Sequence, residues 1–498
     1  MLSKKTIAIF VIAMLTVSFI NIVSPAKSEP KQETLVFWTT ETEAQRQDII
    51  EGIAARFPDA DVSVVAIDEN ELPEQIATAK AGGTLPDVMQ IFYEYIGGYV
   101  DQDILDAERA TAVATTITDL GGLPLVANPG STGATDKYGA VPIDGWVQGI
   151  WYRTDLFTAA GLEAPDSYEN IYTAAETLHD TSDWENPMYG IVIGTHPKAV
   201  YTQQVYEHFA LANGARALDK DGNIILNNAM QLEALKFYAN LSQFAPEGFN
   251  DWDAANQLYL TNKTAMMVYS TFIADDILGL QERPWAPLPD LGENTGFQAA
   301  IEGKHGDIAT YGQLSALGIC VGAESKAEDF IKYILNNDNE YLEWIHMAPT
   351  GKMPLKQTTG ILANWTSHEV WGSYEVGLAE SILEGFQNIG RWGLIDGASY
   401  STDIATLYGE LIMPKAINKV IANTTSAENA LVEAEEEFYA ALGKPIPTTG
   451  PGTATVTQTE TETEVSVTTK QEGAPGFEAA VLLGSFFVLF VFYRRRRK

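Results

Sequence analysis

Between Leu35 and Phe92 the chain alternates short apolar runs with helical ones, and this alternation narrows its fold more than any other feature. An apolar run at 35–38 stops at Thr39 and Thr40, and a helical pattern follows from about Glu43 to Phe57. A second strand pattern at 62–67, a helical one at 72–81 and a third strand at 88–92 repeat the unit. Such β-α-β-α-β order implies a mostly parallel sheet flanked by helices. In sheets of that kind ligands bind beyond the carboxyl ends of the strands, so Trp38, Thr40 and residues 92–95 should face a crevice.

The two ends of the chain read as sorting segments and are set aside before the fold is considered. Lys4 and Lys5 precede an apolar run at 7–23, and Ser24 and Ala26 are the small residues a signal peptidase accepts, so residues 1–26 are expected to be a signal peptide. Residues 445–474 are a Thr-rich stretch too poor in large apolar groups to offset its ordering entropy, and are expected to be a flexible stalk. Residues 475–498 contain an apolar run at 479–493, about 22 Å long as a helix and short for a hydrocarbon core of about 30 Å. The basic cluster Arg494–Lys498 after that run would stay on the cytoplasmic side. Pro475-Gly476-Phe477, just before the run, resembles the archaeal Pro-Gly-Phe sorting signal, at which the tail is cut off and replaced by a lipid. A retained single-pass anchor is the alternative; either way the middle of the chain lies outside the cell, at the outer face of the membrane.

The chain carries 66 Asp and Glu against 31 Lys and Arg, and several of those cations belong to the sorting ends. So acidic a surface repels nucleic acid and favours neutral or cationic partners. Its single cysteine, Cys320, lies in an apolar context and is expected in a core. The six histidines show no metal-ligand spacing, and neither a metal nor a cofactor is expected. Asp219, Asp221 and Gly222 begin like a calcium loop but lack its closing Glu, so a β-hairpin turn is the expected reading.

The remaining stretch of about 410 residues is too long for a single core. It resembles the extracellular solute-binding proteins that include maltose-binding protein and its sugar-binding relatives. The likeness rests on Leu35-Val36-Phe37-Trp38, Gly82-Gly83-Thr84-Leu85-Pro86-Asp87-Val88, Tyr138-Gly139-Ala140-Val141-Pro142-Ile143 with Asp155-Leu156-Phe157, Asn213-Gly214 with Asp221-Gly222-Asn223, Thr264-Ala265-Met266 and Gly351-Lys352-Met353-Pro354. The resemblance implies an α/β, two-lobed periplasmic-binding-protein-like (type II) fold, each lobe a mostly parallel sheet flanked by helices, with a ligand cleft at the hinge. It places one lobe at 33–142 plus 270–318 and the other at 143–269 plus 319–440, with crossings near 142–150, 267–275 and 311–319.

The resemblance also implies a monomeric, non-enzymatic receptor of an ABC importer. It would capture a small solute, chiefly a carbohydrate, and pass it to membrane permease subunits coupled to a cytoplasmic ATPase. A sugar needs flat aromatic platforms for its C–H faces and carboxylates or amides for its hydroxyls. The ligand-binding candidates are therefore Trp38 and Thr40 after the first strand; Tyr93, Glu94 and Tyr95 after the third; Trp146 and Tyr311 in crossings; Tyr201 and Gln204; Phe272, where relatives carry a tryptophan; and Trp392. His196 is a lesser candidate, and Arg391 would pair either with a ligand carboxylate or with a surface acid. Polyamine and peptide ligands stay open. So does an exported glycoside hydrolase, whose two carboxylates need no local motif.

Overall fold

The computed structural model describes residues 34–120, 138–219, 221–281, 283–387, 389–395, 399–401 and 403–447. The expected signal peptide, most of the Thr-rich stalk and the C-terminal tail lie outside them. No helix among the described residues is long and apolar enough to cross a membrane.

The opening segment forms β1 (Thr34–Thr39), a helix (Ala44–Ala55), β2 (Asp61–Ala66), a helix (Leu72–Gly82) and β3 (Val88–Phe92). Both β2 and β3 pair with β1 in parallel. Burial follows sequence: Val88, Met89, Gln90, Ile91 and Phe92 are all buried in the interior strand β3, whereas β2, at the edge, exposes Asp61, Ser63 and Val65. The helix Leu72–Gly82 stops at Gly83, whose φ of +65° suits a residue without a Cβ.

Three further strands extend this sheet: β4 (Val141–Arg153), β5 (Met266–Ser270) and β8 (Ile308–Ile319) give the order β2-β1-β3-β8-β4-β5, with the short β6 (Thr295–Gln298) pairing β4 and β7 (Ile301–Glu302) pairing β8 off that path. Here pairing turns antiparallel, β8 against β3, β4 against β8 and β5 against β4. The reason is that the long strands β4 and β8 run the length of the sheet in opposite senses. Residues 141–148 of β4 pair with β8, and residues 148–152 pair with β5. The sheet is therefore one curled surface, parallel at its β1 end and antiparallel where β4 and β8 cross it. The segments near 142–150, 267–275 and 311–319 fall on β4, on β5 and the turn after it, and on β8. Gly149 admits no side chain, because a Cβ there would lie 2.5 Å from the Gln298 carbonyl oxygen of the adjoining strand Thr295–Gln298.

Cys320 is fully buried, and burial pushes its thiol up. Leu218 and Ile224 bridge antiparallel, and the Asp219 carboxylate accepts the Asp221 and Asn223 amide hydrogens, as a hairpin turn requires.

Candidate functional site

The carboxyl ends of β1, β2 and β3 open onto a cavity of about 630 Å³. One wall is made by the residues that succeed each strand: Thr40, Glu41, Thr42, Glu43 and Arg46 after β1, Asp68, Glu69 and Asn70 after β2, together with Phe92 at the end of β3. Gln90 fixes the first of these loops, since its side-chain oxygen accepts from Thr39 Oγ1 at 2.7 Å and its Nε2 donates to Glu41 Oε1 at 3.3 Å. Phe272 and Arg283 stand on the same side, with Arg46 over the Phe272 ring and Arg283 3.7 Å from Glu43. The facing wall comes from Trp146 on β4, Tyr269 near the end of β5, and two helix N-termini. These bring His196, Lys198, Ala199 and Gln204 at the helix Val200–Ala212, and Asp251, Trp252 and Asp253 at the helix Trp252–Leu260.

The walls touch directly. Val200 N donates to Asn70 Oδ1 at 3.1 Å, and Gln204 Nε2 reaches Glu69 Oε1 at 3.4 Å. Gln148 Nε2 holds the Gln204 carbonyl at 3.1 Å and so ties that helix to β4.

Of the sequence candidates, Thr40, Trp146, Gln204 and Phe272 line the cavity, as does His196. The others lie elsewhere. Trp38 packs half-buried against the core. Tyr201 is buried with its hydroxyl on the Val268 carbonyl, 2.7 Å away. Trp392 is buried, its Nε1 donating to Ala215 O at 3.2 Å and its ring edge-on to Tyr206.

Tyr93, Glu94 and Tyr311 gather around Arg391, only 2% exposed, rather than at the cavity surface, and Tyr95 is buried with its ring stacked 5.9 Å from that of Tyr99. The Arg391 guanidinium is sandwiched between Tyr93 and Tyr311, 4.6 and 4.4 Å from the ring centroids. Its Nε donates to Glu207 Oε1 at 3.1 Å and its Nη1 to the Gly312 carbonyl at 2.9 Å. Tyr408 OH and Trp392 N also donate to Glu207. Glu94 Oε1 accepts from Gln313 Nε2 at 2.9 Å, and its Oε2 lies 3.9 Å from Arg391 Nη2. The cluster sits next to the cavity: Trp146 on the cavity wall is 6.0 Å from Tyr311, ring to ring. Burial raises the Glu69 carboxyl well above the usual range, and the Glu94 and Asp68 carboxylates raise it further.

A second buried network underlies the wall after β1. Lys352 Nζ contacts Glu41 Oε1 at 2.6 Å and Asp144 Oδ2 at 3.0 Å, Trp344 Nε1 donates to the same Asp144 oxygen at 2.6 Å, and Arg46 reaches Glu41 Oε2 at 3.3 Å. Burial alone would raise the Glu41 carboxyl, but Lys352 and Arg46 outweigh it and hold the group at about 2. Arg46 also lies over the Phe272 ring, 4.9 Å from its centroid.

Sequence reasoning passed over Glu41, Asp68, Glu69 and Asn70, although the strand-end rule that picked Thr40 points to them equally when extended to β2. Asp251 and Trp252 come after no strand and carried no such signal. Chemically, the cavity offers aromatic faces from Trp146, Trp252, Tyr269 and Phe272 beside carboxylates and amides, a set that binds hydroxylated or basic molecules. Among the described residues no group of three or more His, Cys, Asp or Glu is placed to hold a metal.

Residues 40–341 match a family model described as bacterial extracellular solute-binding protein. A protein of Escherichia coli named putative ABC transporter periplasmic-binding protein YcjN is 26% identical over 433 residues, covering 84% of this chain and 95% of that one. The fold is shared with solved structures. An Agrobacterium radiobacter ABC transporter solute-binding protein in complex with ribitol gives a TM-score of 0.67 at 20% identity, over 83% of this chain and 100% of that one. Maltose-bound MalE3 of T. maritima gives 0.66 at 14%, over 82% and 99%. An Agrobacterium vitis solute-binding protein with bound D-mannitol gives 0.65 at 20%, over 82% and 98%.

Proposed function

The chain belongs to the bacterial extracellular solute-binding protein family, and from that premise we propose that it is the receptor of an ABC importer, capturing a carbohydrate or polyol and delivering it unaltered to membrane permease subunits. The observation that carries this reading is the cavity itself, with aromatic platforms and hydrogen-bonding carboxylates on walls that meet through Asn70–Val200 and Glu69–Gln204. Relatives of the same fold hold ribitol, maltose and D-mannitol, which supports a hydroxylated ligand.

In this reading the walls belong to two lobes, 33–142 plus 270–318 and 143–269 plus 319–440. The strands β4 and β8 form the hinge, and ligand touching both walls stabilises the closed state. Thr40, Trp146, Gln204 and Phe272 touch the solute, while Glu94, Tyr95 and Tyr311 form a polar backing to the site. Residues 1–26 direct export, and the tail beginning at Pro475 anchors the receptor outside the membrane, either retained or exchanged for a lipid at an archaeal-type sorting signal.

A thermal-shift screen against oligosaccharides, polyols, polyamines and short peptides, with calorimetry and mass analysis of each hit, tests the proposal. A ligand recovered intact at one-to-one stoichiometry supports it. A ligand recovered cleaved would replace it with the glycoside hydrolase reading.

A further inference from the structure

Charge around the cavity is not matched by its own counter-charges. Of the lining cations, Arg46 is held by Glu41 and Glu43, both at 3.3 Å, and Arg283 by Asp276 at 2.7 Å and Glu43 at 3.7 Å. Glu41 is further neutralised by Lys352. Asp68, Glu69, Asp251 and Asp253 then face the cavity with Lys198 as the one lining Lys or Arg not committed to an ion pair among the described residues.

The excess continues inward. Glu94 is fully buried, and its Oε2 has no hydrogen-bond partner. Its nearest cation, Arg391, is already engaged by Glu207, and Arg391 Nη2 is itself without a hydrogen bond. The buried hydroxyls of Tyr95 and Tyr311 also lack partners. Glu69 on the cavity wall receives one amide donor at 3.4 Å and lies within electrostatic reach of Glu94 and Arg391. Glu94 and Glu207 therefore share a single guanidinium, with Glu69 on the cavity wall beyond them.

Burial pushes the Glu69 and Glu94 carboxyls up, and in a low-dielectric wall such groups stay ionised only against sufficient counter-charge, which neutral hydroxyls do not supply. A cation removes the imbalance, and the aromatic faces of Trp146 and Trp252 suit both a protonated nitrogen and the C–H face of a sugar. With no three-carboxylate grouping placed for a metal among the described residues, the cation that fits belongs to an organic solute.

Resting on the receptor reading, we propose that the solute carries a protonated nitrogen, an amino-substituted sugar or polyol whose ammonium group is held at Glu69 with Glu94 behind it. The test is calorimetry on the full chain with matched pairs that differ only by the nitrogen: sorbitol against 1-amino-1-deoxysorbitol, and glucose against glucosamine, each at pH 7. The amino member of at least one pair should bind tenfold or more tightly than its neutral partner, and the preference should fall to near parity in Glu69→Gln and in Glu94→Gln. Melting curves of both variants establish that they are folded.

Equal or tighter binding of the neutral members overturns this inference and leaves the receptor reading standing. So does a failure of every amino probe to bind while neutral sugars do. Preference for the amino probe that survives both substitutions overturns the assignment to Glu69 and Glu94. Recovery of any probe chemically altered sinks the receptor reading itself.

Discussion

Two buried charge networks flank the cavity, and they are built on opposite terms. Around Lys352, two cations meet two carboxylates: Lys352 and Arg46 against Glu41 and Asp144, with Trp344 and Gln90 supplying further hydrogen bonds. Around Arg391, one guanidinium serves Glu207 and stands 3.9 Å from Glu94, with Glu69 beyond. The first network links the loop after β1 to β4 and to the segment at 352, so it fastens the fold. Each network leaves one carboxylate oxygen and one guanidinium nitrogen without a hydrogen bond, Asp144 Oδ1 and Arg46 Nε in the first, Glu94 Oε2 and Arg391 Nη2 in the second, so the difference between them lies in the balance of charge. Burial alone does not distinguish structural from functional charge; the balance of cations against carboxylates does.

The sharpest way to break this contrast is to remove the central cation of the matched network. Lys352→Met leaves Glu41 and Asp144 facing each other in a site that excludes water, and should destabilise the chain by about 3–5 kcal/mol. Urea unfolding monitored by fluorescence would measure it. A loss below about 1 kcal/mol would mean that the Lys352 network holds little of the fold together, and the distinction between the two networks would collapse.

Asp275 stands at the border of the matched network and probes it through pH. Its Oδ1 accepts from Thr350 Oγ1 at 2.7 Å while Oδ2 has no partner, and burial pushes the carboxyl up to about 7 against the pull of Thr350 and Arg46. Because the folded value is raised, the contribution of this group is fully present below its unfolded value near 4 and is lost as pH rises through about 7. Relative to Asp275→Asn, the native chain should therefore lose about 2 kcal/mol of stability between pH 5 and pH 8. Parallel denaturation curves at the two pH values check this; a constant difference would show Asp275 to be charged throughout.

The first three strands were legible because each is a short apolar run bounded by polar residues, and the observed β1, β2 and β3 fall within a residue of the expected limits at most boundaries. Four candidates reached the cavity wall: Thr40 because strand ends face the crevice, and Trp146, Gln204 and Phe272 through the family resemblance. The networks were not legible. Lys352 and Asp144 are 208 residues apart, and Arg391 and Glu207 are 184 apart. No local pattern marks a residue whose partner is supplied by another part of the sheet. Arg391, open at sequence level to a surface acid or a ligand carboxylate, is instead among the most deeply buried side chains.

On the cavity side, Trp146→Ala removes an aromatic face and its ring contact with Tyr311 while leaving every charged group of both networks in place. Binding of whichever solute the screen identifies should weaken at least tenfold, about 1.4 kcal/mol, with the far-ultraviolet circular dichroism unchanged. Unaltered affinity, measured by calorimetry, would move the ligand away from the β4 wall.

The smallest effect is the most informative. Glu94→Gln keeps the shape of the side chain and its acceptor for Gln313, removes one negative charge, and leaves Arg391 paired with Glu207. In a matched network such a change would strand a buried cation and cost several kcal/mol, as expected at Lys352. Here the substitution relieves an excess, so urea unfolding should shift by less than about 1 kcal/mol in either direction. A loss of about 3 kcal/mol or more, on the order expected for breaking a buried pair, would show that Arg391 depends on Glu94, that the second network is as structural as the first, and that its unmatched atoms are not reserved for a solute.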